Sequence, residues 1–391
     1  VNIKKPKIKK IKIDLPKVLQ VLPALNTGGV ERGAVDVAIE LKKRGAVPMV
    51  VSSGGHYESL LKRHGIMHVK LPVDSKNPLT MILNIFRLKK IIDIYNIDLV
   101  HARSRAPAWS AYYAAKKMGV KFVTTFHGTY NFSNNLKRFY NSIMTRGDKV
   151  IAVSKHIADH IKKFYEIKKK TIETIHRGVD ISMFDPNSVS QGRIDTVMKK
   201  FSLPVDKSII LLPGRITRWK GHLSLIRAMG EIKEKDCVCL FVGPTNKKNT
   251  GYQKEILDMA AKYDVTNQVY MYDSCNDMPA LYKIAHVTVS ASTDPEAFGR
   301  VMAEAGAMGC PVVATNHGGA VEIIKGEKTG WLYDLEDTKG MATALDKALS
   351  CSKTKRMEIS RAARKHIKEN FSNDMMLEKI INLYRSLYKK K

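Results

Sequence analysis

The 391 residues suffice for two or three domains with cores of their own, and 44% apolar with 26% charged residues is ordinary for a soluble globular protein. A formal net charge of +29 is not ordinary; it points to a polyanionic partner, nucleic acid or an anionic membrane face, or to a plain lysine-rich compositional bias. No run of about 18 apolar residues is present to span a bilayer. The basic block at 1–17 lacks the apolar core of a secretory signal. Cys237, Cys239, Cys275, Cys310 and Cys351 fit neither zinc spacing nor a disulfide framework, so a reducing cytosol is the expected compartment.

Residues 17–22 (Lys-Val-Leu-Gln-Val-Leu) predict a buried first strand, followed by a turn with Gly28 and Gly29 and a helix to about residue 44. Residues 47–52 predict a second strand. Residues 79–95 are apolar at helical spacing, and so richly that the helix is expected in the core. Strand 99–102, helix 110–118 and strands 122–126 and 150–153 follow. The alternation then restarts with strand 209–212, the loop 213–221, a helix to about 232, and strands 238–242, 269–272, 287–290 and 312–314. Such alternation implies α/β architecture, here two doubly wound parallel sheets. A polar stretch at 185–191 containing Pro186 marks the joint. The expected divisions are a basic tail 1–16, a first domain 17–185, a second domain 186–372 and a C-terminal helix 373–391. That helix presents Met376, Leu377, Ile380, Ile381, Tyr384 and Leu387 on one face and is expected to pack back on the first domain. Open α/β sheets bind ligands beyond the carboxyl ends of their strands, so the cleft between the halves is the expected site.

The first turn fails as a dinucleotide fingerprint. Gly28 and Gly33 have the outer spacing, but Val30 fills the middle position, and the second strand ends in Val51-Ser52-Ser53 without an acid for a ribose. Hydride transfer is disfavoured, and a plain tight turn competes with a phosphate- or sugar-binding one. In the second half, Arg215 and Lys220 flank a loop entering a helix, where two cations can clamp a diphosphate. In so basic a chain the pair also has a surface reading. No Asp-x-Asp triplet is present, so a cationic clamp without a metal is the simpler design.

Glu296 and Glu304 are separated by seven residues. Asp294 and Pro295 suit a helix cap and first turn, which places Glu296 at the start of a helix and Glu304 two turns in. Eight helical residues put the carboxylates about 12 Å apart along the axis and about 80° apart around it. A later start at Gly299 would only lengthen that separation. They are too distant for one acid/base pair and are expected to make two contacts with one elongated ligand.

Taken together, Thr27-Gly28-Gly29-Val30-Glu31-Arg32, Thr125-Phe126-His127-Gly128, Val153-Ser154, Arg177-Gly178-Val179-Asp180 with Phe184, Gly214-Arg215 with Lys220-Gly221, and Glu296 to Glu304 followed by Gly309-x-Pro-Val-Val-Ala fall in one order along nearly the whole chain. This set resembles the retaining glycosyltransferases of family 4, with the two-domain GT-B fold of two Rossmann-like sheets facing each other across a cleft. The resemblance implies a hexosyltransferase using a UDP- or GDP-sugar, without cofactor or metal, and a glycan or lipid-linked acceptor in bacterial surface polysaccharide or lipopolysaccharide synthesis. It gives acceptor binding to the first domain and nucleotide-sugar binding to the second. Gly28 and Gly29 would lie beside the donor phosphates, His127 near the reacting sugar, and Arg215 and Lys220 on the diphosphate. Glu296 would contact donor sugar hydroxyls, the Phe298 and Gly299 amides would lie near phosphate, and Glu304 would hold the ribose.

Some residues keep a structural reading: His101 at a strand end, and Trp219 packing the clamp loop. His317 before Gly318-Gly319 is a weaker candidate for the cleft. A sugar-nucleotide epimerase or phosphorylase of the same fold is the alternative function, and a nonspecific nucleic-acid binder the remote one, without a recognisable module. Residues 135–146 form a short basic, partly apolar helix that with the N-terminal lysines could hold the first domain on an anionic bilayer, giving a cytoplasmic protein peripheral on the inner face of the plasma membrane.

Overall fold

The computed structural model describes residues 15–26, 28–245 and 250–388. The basic block expected at 1–16 lies outside the described residues up to residue 14, as do Thr27 and the last three residues of the expected C-terminal helix. The chain forms two compact units. The first takes the chain to Val153, then Ile157–Ile175, and again from Leu377 onward. The second takes Ser154–His156 and His176–Met376.

The first unit is built on seven strands: β1 (Val18–Val21), β2 (Pro48–Ser52), β3 (Met67–Lys70), β4 (Leu99–Ala102), β5 (Lys121–Phe126), β6 (Lys149–Ala152) and β7 (Ile172–Thr174). All pair in parallel, in the order β3-β2-β1-β4-β5-β6-β7. The second unit has six: β8 (Ser208–Pro213), β9 (Cys237–Val242), β10 (Val269–Tyr272), β11 (Val287–Ser290), β12 (Val312–Thr315) and β13 (Trp331–Tyr333), ordered β10-β9-β8-β11-β12-β13. Strands covered on both faces read as continuous apolar runs, which is how β8 and β9 announce themselves, whereas β1 carries the buried, hydrogen-bonded Gln20 in its middle.

Alternation along β8 and β9 shows the double winding directly. Ile209, Leu211, Val238 and Leu240 enter one core with Met302 and Ile367, whereas Ile210, Leu212, Cys239 and Phe241 enter another with Ile226 and Leu345. All five cysteines are free thiols, and burial pushes Cys237 and Cys310 up to about 11.

Two expectations need correction here. The helix over 79–95 runs Pro78–Ile94, held at its start by Asn77, whose side chain accepts from Leu79 and Thr80 N–H. It is not a core helix: only Asn84, Leu88 and Ile92 are buried, and Leu79, Ile82, Leu83 and Phe86 are exposed. Its inner face packs on the helix Arg105–Met118, with Ser110 Oγ donating to the Met81 carbonyl at 2.9 Å. The helix expected at 110–118 begins five residues earlier, at Arg105, and tolerates Pro107 because first-turn N–H groups have no intrahelical acceptor. It ends at Gly119, left-handed with φ of 66°.

The basic segment 135–146 is a helix over Asn135–Ser142 followed by a 3-10 turn at Ile143–Thr145. The last helix, Asn373–Leu387, buries Leu377, Ile380, Ile381, Leu383 and Tyr384. Within the first unit Tyr384 Oη contacts His101 Nδ1 at 2.5 Å, and Thr125 Oγ1 holds Nε2 at 2.7 Å. His101 is therefore a packing residue, fully buried, its pKa held far below the ordinary value by desolvation.

Candidate active site

In the second unit the chain leaves β8 for β9 and β10 on one side, then returns to place β11 on the other. The β8/β11 junction is thus the topological switch point, where diverging loops open a crevice beyond the strand ends. Two loops meet there, 214–221 after β8 and 291–299 after β11.

The first loop is set by glycines. Gly214 has φ of 145° and Gly221 φ of 74°, and a Cβ on Gly221 would lie 1.8 Å from the Ala291 carbonyl oxygen, so only glycine allows this approach. Thr293 N–H donates to the Trp219 carbonyl at 2.8 Å, tying the loops together. Across the junction Lys220 Nζ forms an ion pair with Glu296 Oε1, and Ser292 Oγ donates to the same oxygen at 2.9 Å. Lys220 Nζ also sits 4.3 Å from the Trp219 ring centroid. Both side chains are mostly buried, at 13% and 19% exposure, whereas Arg215 is exposed and, among the described residues, has no ion-pair partner.

Glu296 is not on a helix, which corrects the geometry expected from Asp294 and Pro295. The helix runs Arg300–Ala307, and its cap is Gly299 with φ of 99°. The cause is a competing bond. In a helix from residue 295 the Glu296 carbonyl would accept from Arg300, but it accepts from Gly319 N–H at 2.8 Å instead. Gly318, with φ of 61°, brings its main chain against that of Glu296, and His317 Nε2–H donates to the Ser292 carbonyl at 2.8 Å. The 317–319 turn after β12 therefore braces the Glu296 loop from the far side, and His317 serves that brace.

Glu304 lies within the helix and is nearly buried. Arg300 reaches its Oε1 at 2.6 and 3.0 Å, and Tyr282 Oη donates to Oε2 at 3.1 Å. Burial, then the neighbouring Glu304, hold the Tyr282 phenol well above its ordinary range, so it stays a donor. Phe298 is buried among the core residues beneath the same helix, which leaves its main chain and that of Gly299 at the helix N-terminus.

In the first unit the corresponding junction is β1/β4. Gly28 caps, and Gly29 begins, the 15-residue helix Gly29–Lys43 directly after β1. His127 is the first residue past β5, half-buried, its N–H 3.5 Å from Tyr130 Oη. Between them, after β4, stand two cations that sequence reasoning did not single out. Arg103 is buried and donates to Gln20 Oε1 at 2.8 Å. Arg105 lies 4.4 Å over the Tyr130 ring and donates to Asn141 Oδ1 at 2.8 Å. Among the described residues no cluster of three or more His, Cys, Asp or Glu is placed to hold a metal ion.

The family profile Glycosyltransferase Family 4 matches residues 27–183, and Glycosyl transferases group 1 matches residues 193–366. A solved glycosyltransferase from Rickettsia africae ESF-5 is 37% identical, with a TM-score of 0.88 over 96% of this chain and 100% of its own. The chain is a group 1, family 4-type glycosyltransferase. Its two parallel-sheet Rossmann-like units are those of the GT-B fold. Anabaena HepE, solved in complex with UDP and glucose, shares that fold at 21% identity and a TM-score of 0.82, covering 95% of this chain and 100% of its own. Spore coat protein SA of Bacillus subtilis (strain 168) is 25% identical over 295 residues, 73% of this chain and 78% of that one.

This glycosyltransferase also carries an acid that sequence reasoning passed over. Glu322, four residues past Gly318, accepts from the N–H groups of Lys155 at 2.9 Å and His156 at 3.0 Å, and contacts His176 Nε2 at 2.6 Å. Burial works to raise its pKa, but the hydrogen bonds from His176, Lys155 and His156 outweigh burial and hold it below the ordinary value. The readable signal was an acid just beyond a Gly-Gly turn that follows an apolar strand.

Proposed function

We propose that the protein transfers a hexose from a UDP- or GDP-sugar to a glycan or lipid-linked acceptor, with retention of anomeric configuration and without a metal. The observation that carries this reading is the Lys220–Glu296 contact across the β8/β11 junction. A cation and a carboxylate held side by side beyond the ends of two adjacent strands suit the two ends of a sugar–phosphate bond.

Arg215 and Lys220 take the diphosphate, whose negative charge grows as the bond to the sugar breaks. The amides at Phe298 and Gly299 add the helix N-terminus to the same charge. Glu296 accepts from the donor sugar hydroxyls and Glu304 from the ribose hydroxyls. The bond from the anomeric carbon to the phosphate oxygen breaks, the acceptor oxygen bonds to that carbon on the same face, and the departing phosphate oxygen takes the acceptor proton. A cationic loop, rather than a metal, supplies the charge, so EDTA leaves turnover intact.

The UDP and glucose held by the Anabaena structure support a nucleotide-sugar donor. Two lower-identity neighbours are named for lipopolysaccharide synthesis, which supports a surface-glycan acceptor. No described helix is long and apolar enough to cross a membrane. The test is acceptor-dependent release of nucleoside diphosphate. Release that requires acceptor and yields the α-linked product from an α-linked donor agrees with the proposal. Epimerised sugar nucleotide, or phosphate-dependent release of sugar phosphate, overturns it.

A further inference from the structure

The helix Pro78–Ile94 carries a second apolar stripe that no described residue covers. Leu79, Ile82, Leu83 and Phe86 are 71, 51, 53 and 57% exposed, in one row at helical spacing. The row continues onto neighbouring helices. Lys117 Nζ lies 5.5 Å from the Phe86 ring centroid, and Tyr113, one turn away, stacks on Trp109 at 6.3 Å. Trp109 meets Phe139 at 5.4 Å, and beside it Leu136 is 80% exposed. Val205 and Met357, by contrast, are exposed apolar residues with no exposed large apolar neighbour in sequence.

The charge around this surface is predominantly positive, with the exposed Asp93 in the last turn of the helix its one acid. Residues 76–92 and 99–147 contain no Asp or Glu. Arg87, Lys90, Lys116, Lys117, Lys137 and Arg138 are exposed on the same three helices, and Arg146 lies 5.6 Å from the Trp109 ring and 5.8 Å from that of Phe139.

We infer that this surface docks the protein on an anionic lipid bilayer, with the stripe from Leu79 to Phe86 and the pair Leu136 and Phe139 entering the headgroup boundary. The inference deepens the proposed lipid-linked acceptor, on which it rests for its purpose. A row of aliphatic side chains ringed by cations matches an interface with apolar interior and negative surface. Nucleic acid matches only the charge, because phosphates gain nothing from exposed Leu and Ile. A second copy of the same face would bring like charges together.

The test is co-sedimentation of the full chain with vesicles of phosphatidylcholine alone and of phosphatidylcholine mixed with phosphatidylglycerol. The double variant Leu83→Ser/Phe86→Ser and the single variant Leu136→Ser, all at exposed positions, are run in parallel. The wild type is expected on the anionic vesicles, weakening with salt, and the double variant is expected to lose at least ~10-fold in partition. Thermal shift by UDP and GDP, read in the same samples, reports the second unit. Unchanged shifts in the variants show that the fold is intact, and absent shifts in the wild type would sink the donor reading while leaving docking to the vesicle result. Equal uptake by neutral and anionic vesicles overturns the inference. So does wild-type uptake by the double variant, or tight RNA binding in a protein that ignores vesicles.

Discussion

Lys220 and Glu296 lie 76 residues apart in sequence and in ion-pair contact in space, on the loops after two adjacent strands, β8 and β11. The pair is mostly buried, so each side chain neutralises a charge that the other would otherwise leave uncompensated. Under the proposed function, a diphosphate arriving at Lys220 would share that cation with Glu296 and free one carboxylate oxygen for a sugar hydroxyl. Lys220→Met is expected to cut turnover by about 100-fold or more, the scale of losing one preorganised transition-state contact. Steady-state kinetics with saturating donor checks this; an unaltered kcat would remove Lys220 from the site.

Glu304 has a structural duty beside the ribose contact proposed for it. Glu304→Ala leaves the buried Tyr282 hydroxyl without its acceptor and releases Arg300, so a stability loss of about 1–3 kcal/mol accompanies the loss of ribose binding. Glu304→Gln keeps an acceptor for Tyr282 and is expected to recover most of the stability but not the donor affinity. Urea melts and donor titrations on both variants separate the two effects. If the Gln variant binds donor as the wild type does, the ribose assignment fails.

Gly221 is the backbone hinge pin of the cationic loop. With φ of 74° and the Ala291 carbonyl oxygen 1.8 Å from where a Cβ would be, Gly221→Ala must displace one loop from the other. A stability loss of at least ~1 kcal/mol is expected from strain at this conformation, with donor affinity falling alongside it. Thermal melts with and without UDP check both. A variant as stable as the wild type would show that the loops are not held in this contact.

Acid destabilises the second unit in two windows. His222 is buried against Phe241 and Tyr252, and burial lowers its pKa from 6.5 to about 4. The unfolded imidazole binds a proton between those values that the folded one refuses. Stability is therefore full above pH 6.5 and declines as pH falls to about 4, by about 3 kcal/mol in all. Glu322, held below its ordinary 4.5, adds stability that is present above that value and lost beneath it. Urea melts from pH 7 to 4 are expected to show the first decline, and His222→Phe to flatten it. An equal slope in the variant would assign the decline elsewhere.

The doubly wound fold was readable because central parallel strands such as β8 and β9 are long apolar runs. Of the edge strands, β10 (Val-Tyr-Met-Tyr) was readable, but β3 (Met-His-Val-Lys) and β7 (Ile-Glu-Thr), which mix charge into short segments with one side unpaired, were not. Arg215, Lys220, Glu296 and Glu304 could be picked out by residue type and order, yet the position of Glu296 could not. Asp294-Pro295 looks like a helix start, and what prevents one is a hydrogen bond from Gly319, distant in sequence. Period also failed to separate the two apolar stripes of the helix Pro78–Ile94, because both repeat every three to four residues and only one has a partner. Arg103, Arg105 and Glu322 carried no motif of their own and became visible only beside the strand ends that position them.

The central claim is that the β8 and β11 loops hold a nucleoside diphosphate through Lys220. Calorimetric titration of UDP, GDP and the corresponding nucleosides into the wild type and Lys220→Met tests it most directly. Diphosphate binding is expected in the wild type and is expected to weaken by at least ~10-fold in the variant, the scale of one charge-assisted contact, with nucleoside binding equal in both proteins. A wild type that binds neither diphosphate, or a variant that binds them as tightly as the wild type, would contradict the account.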